Sequence, residues 1–443
     1  MDLLLKIFVL FGIFIQYAAT ILSLSYRKYN VFAVVYLLSI FFYDFLFINA
    51  SYFLPSSLVA VLKPYNEYLF IFLTIRLFLV KLNNIKSRNI LMDKIILYLI
   101  LVTLAVLLLN DFSSNIDPVS TILGIRIYLL PILLPYLMYK ANWLATIDKK
   151  TFLSSLFLAT LITIGYGTIQ QMTFNGNVNS LWFYKFFNLN GENPVETGFY
   201  NFVRNDKLRT TSFFVSPIIY SISVAMSAVF VATLLIMKQN KMFKRSTLFL
   251  LLIAFIYGLL IAETRVGIFI LAMAIAMLLV TKLTNRKGIY KLLATIPFIA
   301  MILTFLSLIY GYTDDLSALG RLIQYMSFFE YFKPLGLGFN SEYVLTMFDT
   351  YYMSLALVYG VFIVVPIYFY YKLNKVLYYQ ILEINGLNLL FAKGVFVLSL
   401  TFIYSFAFQF TAGAYQFRML FFLIFIVLSN GVNNVSKTSR LSE

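Results

Sequence analysis

The sequence contains neither cysteine nor histidine, and only 12% of its 443 residues are charged. The absence of cysteine excludes disulfides and thiolate metal sites. The absence of histidine removes the commonest metal ligand and the usual general base at neutral pH. Soluble domains carry about a quarter charged residues, whereas 61% of this chain is hydrophobic. That composition excludes a soluble globular domain and predicts a protein embedded in lipid.

The formal net charge of +16 raises the question of a nucleic-acid partner. No basic run with interleaved aromatic residues lies outside the flanks of the hydrophobic segments, which excludes nucleic acid. Lysines that flank membrane helices on the cytoplasmic side account for the charge. The first apolar run is too long for a signal peptide, and only Lys6 precedes most of it, so we expect a retained first helix.

Hydrophobic segments long enough to cross roughly 30 Å of hydrocarbon as helices recur along the whole chain. They predict an all-α, polytopic integral membrane protein with about 12–13 transmembrane helices in a single transmembrane domain, 1–443. The short piece 52–63 contains Pro55 and is expected to be re-entrant or interfacial. The predicted spans are 3–22, 31–48, 66–80, 95–109, 121–139, 151–171, 216–237, 247–262, 266–281, 292–311, 347–371, 388–408 and 414–430.

Basic loops alternate with loops of a different charge pattern, and by the positive-inside rule the basic ones face the cytoplasm. The cytoplasmic loops carry sixteen lysines and five arginines, whereas the outer side carries four lysines and six arginines, of which Arg126 and Arg418 lie at the lips of predicted helices. Two outward loops, 172–215 and 312–346, are long, and long loops are often functional. The outer face is therefore where we expect this protein to act. The predicted cytoplasmic segments are 27–28, 81–94, 140–150, 238–245, 282–291, 372–375 and the C-terminal tail.

Arginine is the characteristic cation of the predicted outer face, although outward arginines oppose the orientation signal. The guanidinium group is a rigid, always charged fork of donors that matches phosphate. The set therefore favours a site for phosphate or carboxylate groups, with snorkelling and local ion pairs as the alternative. These arginines are Arg126, Arg204, Arg209, Arg265, Arg321 and Arg418.

Five short motifs contain or follow these arginines. Gly124-Ile-Arg126 precedes an aromatic, proline-containing helix, and Arg209-Thr-Thr-Ser-Phe-Phe-Val-Ser-Pro217 leads into a hydrophobic helix. Ala262-Glu-Thr-Arg-Val-Gly267 lies in a tight turn between two helices. Gly320-Arg321 is followed by Lys333-Pro-Leu-Gly-Leu-Gly338, and Asp349-Thr-Tyr-Tyr352 is followed by Gly360. In this order, over roughly residues 120–370, the motifs resemble those of the O-antigen polymerase and ligase superfamily.

The resemblance implies a glycosyltransferase with the all-helical, GT-C-like fold of membrane enzymes that use lipid-linked sugars. Its substrates would be oligosaccharides on undecaprenyl pyrophosphate, at the outer face of the bacterial plasma (inner) membrane. No cofactor or metal is expected, because a lipid pyrophosphate is already a good leaving group. The outer loops contain no clear Asp-x-Asp pair for a metal. Besides membrane lipid, the implied partners are a chain-length regulator and a flippase of the same pathway.

Such a transfer needs cations for the departing pyrophosphate and a base for the acceptor hydroxyl. Without histidine the base must be a carboxylate, and Asp349 is the first choice, with an ordinary helix N-cap as the equal alternative. Aromatic residues of loop 172–215, including Trp182 and Phe183, fit a sugar platform or, more commonly, the membrane's aromatic belt. The rival carboxylates are Glu192, Glu196 and Glu342. The site residues are Asp349, Arg209 and Arg265 for catalysis and Arg126, Arg321 and Arg418 for substrate binding.

Three activities suit such a protein. Ligases of this superfamily carry a histidine in the second long outer loop, and its absence here favours a polymerase of O-antigen, capsule or exopolysaccharide repeat units. A ligase that transfers finished glycan to another acceptor is the enzymatic alternative. A lipid-linked oligosaccharide flippase or exporter should instead place ionisable residues at mid-membrane in broken helices. The helix-interior charges here are few, and Asp44, Arg76 and Lys393 lie toward predicted helix ends.

Overall fold

The computed structural model describes residues 3–79, 90–111, 118–174, 181–184, 203–204, 207–237, 243–283, 289–310, 316–339, 350–384, 386–408 and 413–438. Within these ranges the protein is nearly all helical, apart from a two-residue antiparallel ladder that pairs Val203–Arg204 with Lys207–Leu208. The helices of the first half are α1 (Leu3–Ser25), α2 (Tyr29–Ser51), α3 (Ser56–Leu62), α4 (Tyr65–Leu79), α5 (Ile90–Val106), α6 (Pro118–Tyr128), α7 (Leu130–Lys140) and α8 (Lys149–Thr173). Those of the second half are α9 (Pro217–Ile236), α10 (Arg245–Ile261), α11 (Arg265–Leu283), α12 (Ile289–Tyr310), α13 (Leu316–Tyr331), α14 (Tyr351–Tyr359), α15 (Val364–Glu383), α16 (Gly386–Phe408) and α17 (Gly413–Thr438).

Eight helices of the described residues are long and apolar enough to cross a membrane, or nine if the bent pair α3–α4 is one span. The prediction of an all-α, multi-pass membrane protein is therefore confirmed, while the GT-C-like architecture stays a prediction. Each of the thirteen predicted segments coincides with a helix, but some are too short or interrupted. Helix α10 has 17 residues, about 25 Å. Segment 121–139 is two helices, because Pro131 has no N–H for the carbonyl of Ile127.

Two spans are broken. Helix α3 bends by 43° into α4 after Leu62, just before Pro64, at the end of the short apolar piece that was predicted to be re-entrant or interfacial. Helices α14 and α15 are separated by a 3₁₀ turn at Gly360. Segment 372–375 was predicted to be a loop, and that prediction is wrong, because it lies inside α15. A lysine at the membrane surface does not terminate a helix. Its aliphatic stem lies along the helix while its ammonium group reaches water.

The chain divides into two compact units, and each is assembled from separate parts of the sequence. The first contains 1–76, 134–275 and 386–394, and the second contains 77–133, 276–385 and 395–443. Because the chain passes between the units repeatedly, no linker marks a boundary that composition could reveal. The single transmembrane domain stays a prediction.

Within the first unit, contacts show that α2 and α8 run parallel. At their N-terminal ends the Asp148 N–H donates to Oδ1 of Asn30 (2.6 Å). The Asp148 carboxylate caps α8, and its hydrogen bonds from the Thr151 hydroxyl and backbone N–H hold its pKa below the usual value. Toward their C-terminal ends the ring of Phe45 in α2 contacts that of Tyr166 in α8 at 6.0 Å.

Both ends of this unit carry cations. Helix α9 leads away from the C-terminal end of α8, and α10 returns to it, where its last carbonyl accepts a hydrogen bond from Thr210. Arg27, Lys28, Lys149 and Lys244 therefore lie at one end. Arg209 and Arg265 lie at the other, together with Lys207 and with Lys6, whose Nζ is 5.9 Å from the ring centroid of Phe53.

Candidate functional site

Two loops that carry the predicted catalytic arginines meet at the C-terminal end of α8. The Thr210 N–H donates to the carbonyl of Ile261, the last residue of α10 (3.2 Å). Gln171 bridges the same contact, because its Nε2 donates to the carbonyls of Leu208 (2.6 Å) and Ile261 (3.1 Å). One amide side chain therefore fixes both loops.

Arg209 follows the first of these carbonyls directly, and Arg265 lies four residues after the second. We call residues 208–212 and 261–265, together with Gln171, the arginine corner. Arg209 is half-buried and Arg265 is exposed. The structure thus brings together, within the first unit, two arginines that are 56 positions apart in the sequence.

The first loop of the corner is held in a backbone conformation that serine rarely adopts, with φ at +53° for Ser212. Its N–H donates to Oε1 of Gln170 (2.9 Å), its hydroxyl donates to the carbonyl of Thr163 (2.6 Å), and its carbonyl accepts from Nε1 of Trp182 (2.8 Å). In the second loop, φ of Glu263 is +48°. Such residues cost about 1–3 kcal/mol each and persist only where the surroundings fix them. The corner is therefore a pre-formed structure.

The last residues of the first long loop are buried against α8. Thr210 and Ser212 are fully buried, and the ring of Phe213 stacks on that of Tyr166 at 4.5 Å. A side chain at Gly167 would come within 2.5 Å of Thr210, so this glycine lets the loop approach. Phe183 is also fully buried, which rules out an exposed sugar platform at that ring.

Arg265 is the first residue of α11, at the positive end of the helix dipole. A cation there is disfavoured by about 0.3–1 kcal/mol, whereas an anion is favoured by the same dipole. An anion at this corner would meet the helix terminus and the guanidinium together. The position of Arg265 thus suits anion binding better than helix stability.

In the second unit, the segment Pro334–Gly338 is locked to the helix break at Gly360. A side chain at Gly336 (φ +85°) would collide with the carbonyl oxygen of Val358, and one at Gly360 (φ +55°) with that of Pro334. Only glycine fits either position. We call this contact the glycine interlock, and its role is structural. Its hydrogen bonds run from Leu337 N–H to Leu357 O (2.6 Å), from Gly338 N–H to Val358 O (3.3 Å) and from Val361 N–H to Pro334 O (2.9 Å).

Two predicted substrate-binding arginines flank one row of aromatic rings in the second unit. The ring of Tyr128 stacks on that of Tyr351 at 6.0 Å, and Tyr351 contacts Phe417 at 4.6 Å. Arg126 lies two residues before Tyr128 and is half-buried, and Arg418 follows Phe417 and is only 3% exposed. The ring row therefore brings together the helices that carry these two arginines.

The remaining predicted residues are placed only in part. Arg321 lies in α13, but its side chain falls outside the described residues, as do Asp349 and the rivals Glu192, Glu196 and Glu342. Helix α14 begins at Tyr351 with Thr350 in the N-cap position. The Thr350 side chain makes no capping hydrogen bond, and Asp349 lies outside the described residues, so the alternative that Asp349 caps this helix stays open.

Sequence reasoning missed Gln170 and Gln171, the two amides that organise the arginine corner. The available signal was two adjacent amides at the end of an apolar helix. Polar side chains in membrane segments are rare and usually engage other helices or functional groups. Their partners lie about 40 and 90 positions away, so the sequence offers no local pattern that identifies them.

If the protein carries out the glycosyl transfer that its motifs predict, replacing Gln171 by leucine should lower the rate of that transfer by about tenfold to a hundredfold. A small misplacement of a substrate-positioning group costs about that much. The amount of protein in the membrane should stay normal, since only two hydrogen bonds of roughly 1 kcal/mol each are lost. Transfer rates of purified Gln171→Leu check this. Thr168→Val is the matched control, because Thr168 bonds only to its own helix. An unchanged rate in Gln171→Leu would show that the amide does not position the arginines.

The arginine corner places two arginines and a helix N-terminus at one end of the first unit, an arrangement that suits an anion. Among the residues that the structure describes, no three acidic side chains come together in a way that could hold a metal ion. The motifs that suggested a glycosyltransferase fall into two groups, the arginine corner and the glycine interlock with its ring row. No protein-family model matches the chain, and a search of curated proteins finds no match to its sequence.

Proposed function

We propose that this protein is a polysaccharide polymerase of the bacterial plasma membrane. It transfers glycan from undecaprenyl pyrophosphate to a second lipid-linked repeat unit at the outer face of the membrane. The observation that supports this most is the arginine corner, where Gln171 fixes two arginine loops at one end of the first unit. Topology alone gives no reason for arginines there.

In the proposed reaction the acceptor hydroxyl oxygen attacks the anomeric carbon of the donor glycan. The bond from that carbon to the phosphate oxygen breaks, and its electron pair leaves with the lipid pyrophosphate. Arg209 and Arg265 stabilise the charge that develops on the pyrophosphate. The hydroxyl proton passes to Asp349. Arg126 and Arg321 bind the substrates, and the buried Arg418 supports this region beside the ring row.

Membrane topology provides the first test. Because the lysine-rich loops should stay in the cytoplasm, a reporter fused at position 190 or 330 should read out as extracytoplasmic. A reporter fused at 242 or 286 should read out as cytoplasmic. Paired phosphatase and fluorescent-protein fusions measure this. The opposite pattern would exclude the proposal, since the donor glycans are displayed on the outer surface.

An exporter of lipid-linked oligosaccharide is the second candidate, because broken spans line substrate sites in transporters. At the α3–α4 bend, however, the carbonyls of Leu62 and Lys63 accept hydrogen bonds from the hydroxyls of Tyr17 and Tyr43. At the second break the glycine interlock provides the partners. The backbone at both breaks is satisfied by protein groups, which favours a structural role for the breaks.

Reconstitution separates the two candidates. Purified protein in liposomes that contain lipid-linked repeat units should produce a ladder of longer glycans on the lipid carrier. An exporter would move the repeat units across the bilayer without lengthening them. Gel analysis of the glycans and a lectin-accessibility assay on the same vesicles measure the two activities. Movement without chain growth would replace the polymerase proposal with the exporter.

A further inference from the structure

Helix α13 lies within residues 312–346, which the sequence predicts to be the second outer loop. Its 16 residues reach about 24 Å, less than the roughly 30 Å of hydrocarbon that a span must cross. It also contains Arg321, Gln324 and Glu330, and spanning segments rarely carry so many polar groups. Helix α13 is therefore an additional helix of the second unit that does not cross the membrane.

One face of α13 packs against protein. Tyr325, Phe328 and Phe332 contact a buried cluster to which Val106 at the end of α5 belongs. The rings of Phe328 and Phe332 lie 5.5 Å apart. Residues three and four positions apart are neighbours on a helix, so these aromatic side chains form one stripe. This stripe holds α13 against the second unit.

The opposite face of α13 is apolar and exposed. Ile323, Met326 and Phe329 recur every three residues and are 54%, 68% and 79% exposed. Water disfavours such a face, because burial of one large apolar side chain contributes about 1.5–3 kcal/mol. Glu330, four positions after Met326, is exposed on the same face, and hydrocarbon disfavours its carboxylate. The boundary between lipid headgroups and acyl chains accommodates both kinds of side chain.

The chain just after α13 lies beside a surface that faces lipid. The span that begins with α5 continues to Asn110, and Leu104 and Leu108 on it are exposed, as expected of residues that contact hydrocarbon. At the end of this span Nδ2 of Asn110 donates to the carbonyl of Leu335 (3.0 Å), four residues after α13 ends. Leu335 is itself exposed. The exposed segment 323–335 thus reaches the point where this span ends.

We infer that the exposed face of α13 inserts into the headgroup–acyl boundary of one leaflet, which the predicted topology makes the outer one. Ile323, Met326 and Phe329 lie among the upper parts of the acyl chains, and Glu330 and Lys333 lie at the headgroups. A protein partner fits less well, because three side chains offer only a few hundred Å², whereas a specific interface buries about 800 Å² of each partner. The contact with lipid is independent of the proposed transfer reaction.

Single cysteines measure where this face lies, because the chain contains no cysteine of its own. The purified full-length variants Met326→Cys and Phe329→Cys are labelled with bimane and reconstituted into phosphatidylcholine nanodiscs. Both labels should lose most of their fluorescence to phosphatidylcholine brominated near the headgroup end of the acyl chain, and little to aqueous iodide. Lys333→Cys is the control at the headgroups, which iodide should quench. Leu104→Cys is the control in hydrocarbon, which bromine near the end of the acyl chain should quench most.

Thermal unfolding of each variant verifies the fold. Iodide quenching of the labels at Met326→Cys and Phe329→Cys, with no loss to brominated lipid, would place the face in water and overturn the inference. Protection from both quenchers would also overturn it, because a protein surface would then cover the face. The reporter fusions at 190 and 330 decide the leaflet separately, so a failure of the predicted topology is distinguishable from a failure of the lipid contact.

Discussion

Asp349→Asn is expected to abolish polymer formation while the protein stays at its normal level in the membrane. A general base contributes roughly two to four orders of magnitude in rate, and the asparagine amide does not accept the acceptor's proton. Because asparagine also serves as a helix N-cap, the substitution removes a charge without removing a capping side chain. The measurement is chain growth in purified membranes supplied with lipid-linked repeat units.

The control is Asp314→Asn, which removes an acidic residue from the predicted second outer loop 312–346 and should polymerise normally. A rate near that of the wild type in Asp349→Asn would exclude Asp349 as the base. Glu192, Glu196 and Glu342 would then be tested by the same charge-removing substitutions. If none of them matters, arginine stabilisation of the leaving group is the main catalytic effect.

Lysine at position 209 or 265 is expected to be nearly as harmful as alanine. A pre-organised donor aimed at developing charge is worth about two to three orders of magnitude in rate. Lysine keeps the charge but loses the planar fork that binds two phosphate oxygens at once. Polymer should vanish while single repeat units still reach the surface on their lipid carrier. Immunoblots of surface glycan and extracts of the lipid carrier measure the two quantities separately.

Arg245→Lys is the matched control, because Arg245 is also the first residue of a helix but lies at the lysine-bearing end of the same unit. Arg245→Lys should form polymer at the wild-type rate. Full activity of Arg209→Lys or Arg265→Lys would reduce that arginine to an interfacial anchor. Loss of protein from the membrane in either variant would instead assign it a role in folding.

The helices were predictable because hydrophobic length and boundary residues agree. Helix α9 begins at Pro217 after the capping Ser216, and α8 begins after the capping Asp148, within two residues of the predicted starts. Single-residue interruptions such as Pro131 and Gly360 were not predicted as breaks. Whether a helix tolerates them depends on which neighbour satisfies the freed backbone groups, and that neighbour is distant in sequence.

The candidate site was predictable as a set of residue types but not as an arrangement. The excess of arginine on one predicted face is visible in composition, and this excess identified Arg209 and Arg265 as candidate site residues. Their contact depends on Gln171, whose partners are the carbonyls of Leu208 and Ile261. Any residue has a carbonyl, so no sequence pattern marks those partners. In the sequence the motif Pro334-Leu-Gly-Leu-Gly338 precedes the predicted base Asp349. In the structure it packs against the helix break at Gly360.

The glycine interlock also constrains how the second unit is made. Residues 334–338 leave the ribosome before α14, whose carbonyls at Leu357 and Val358 they later occupy. An unsatisfied carbonyl in hydrocarbon costs several kcal/mol, so this half-helix has no stable place in the bilayer alone. We therefore expect residues 334–338 to dock against α14 only after Gly360 has been synthesised, so that this unit is completed after translation of the segment rather than helix by helix.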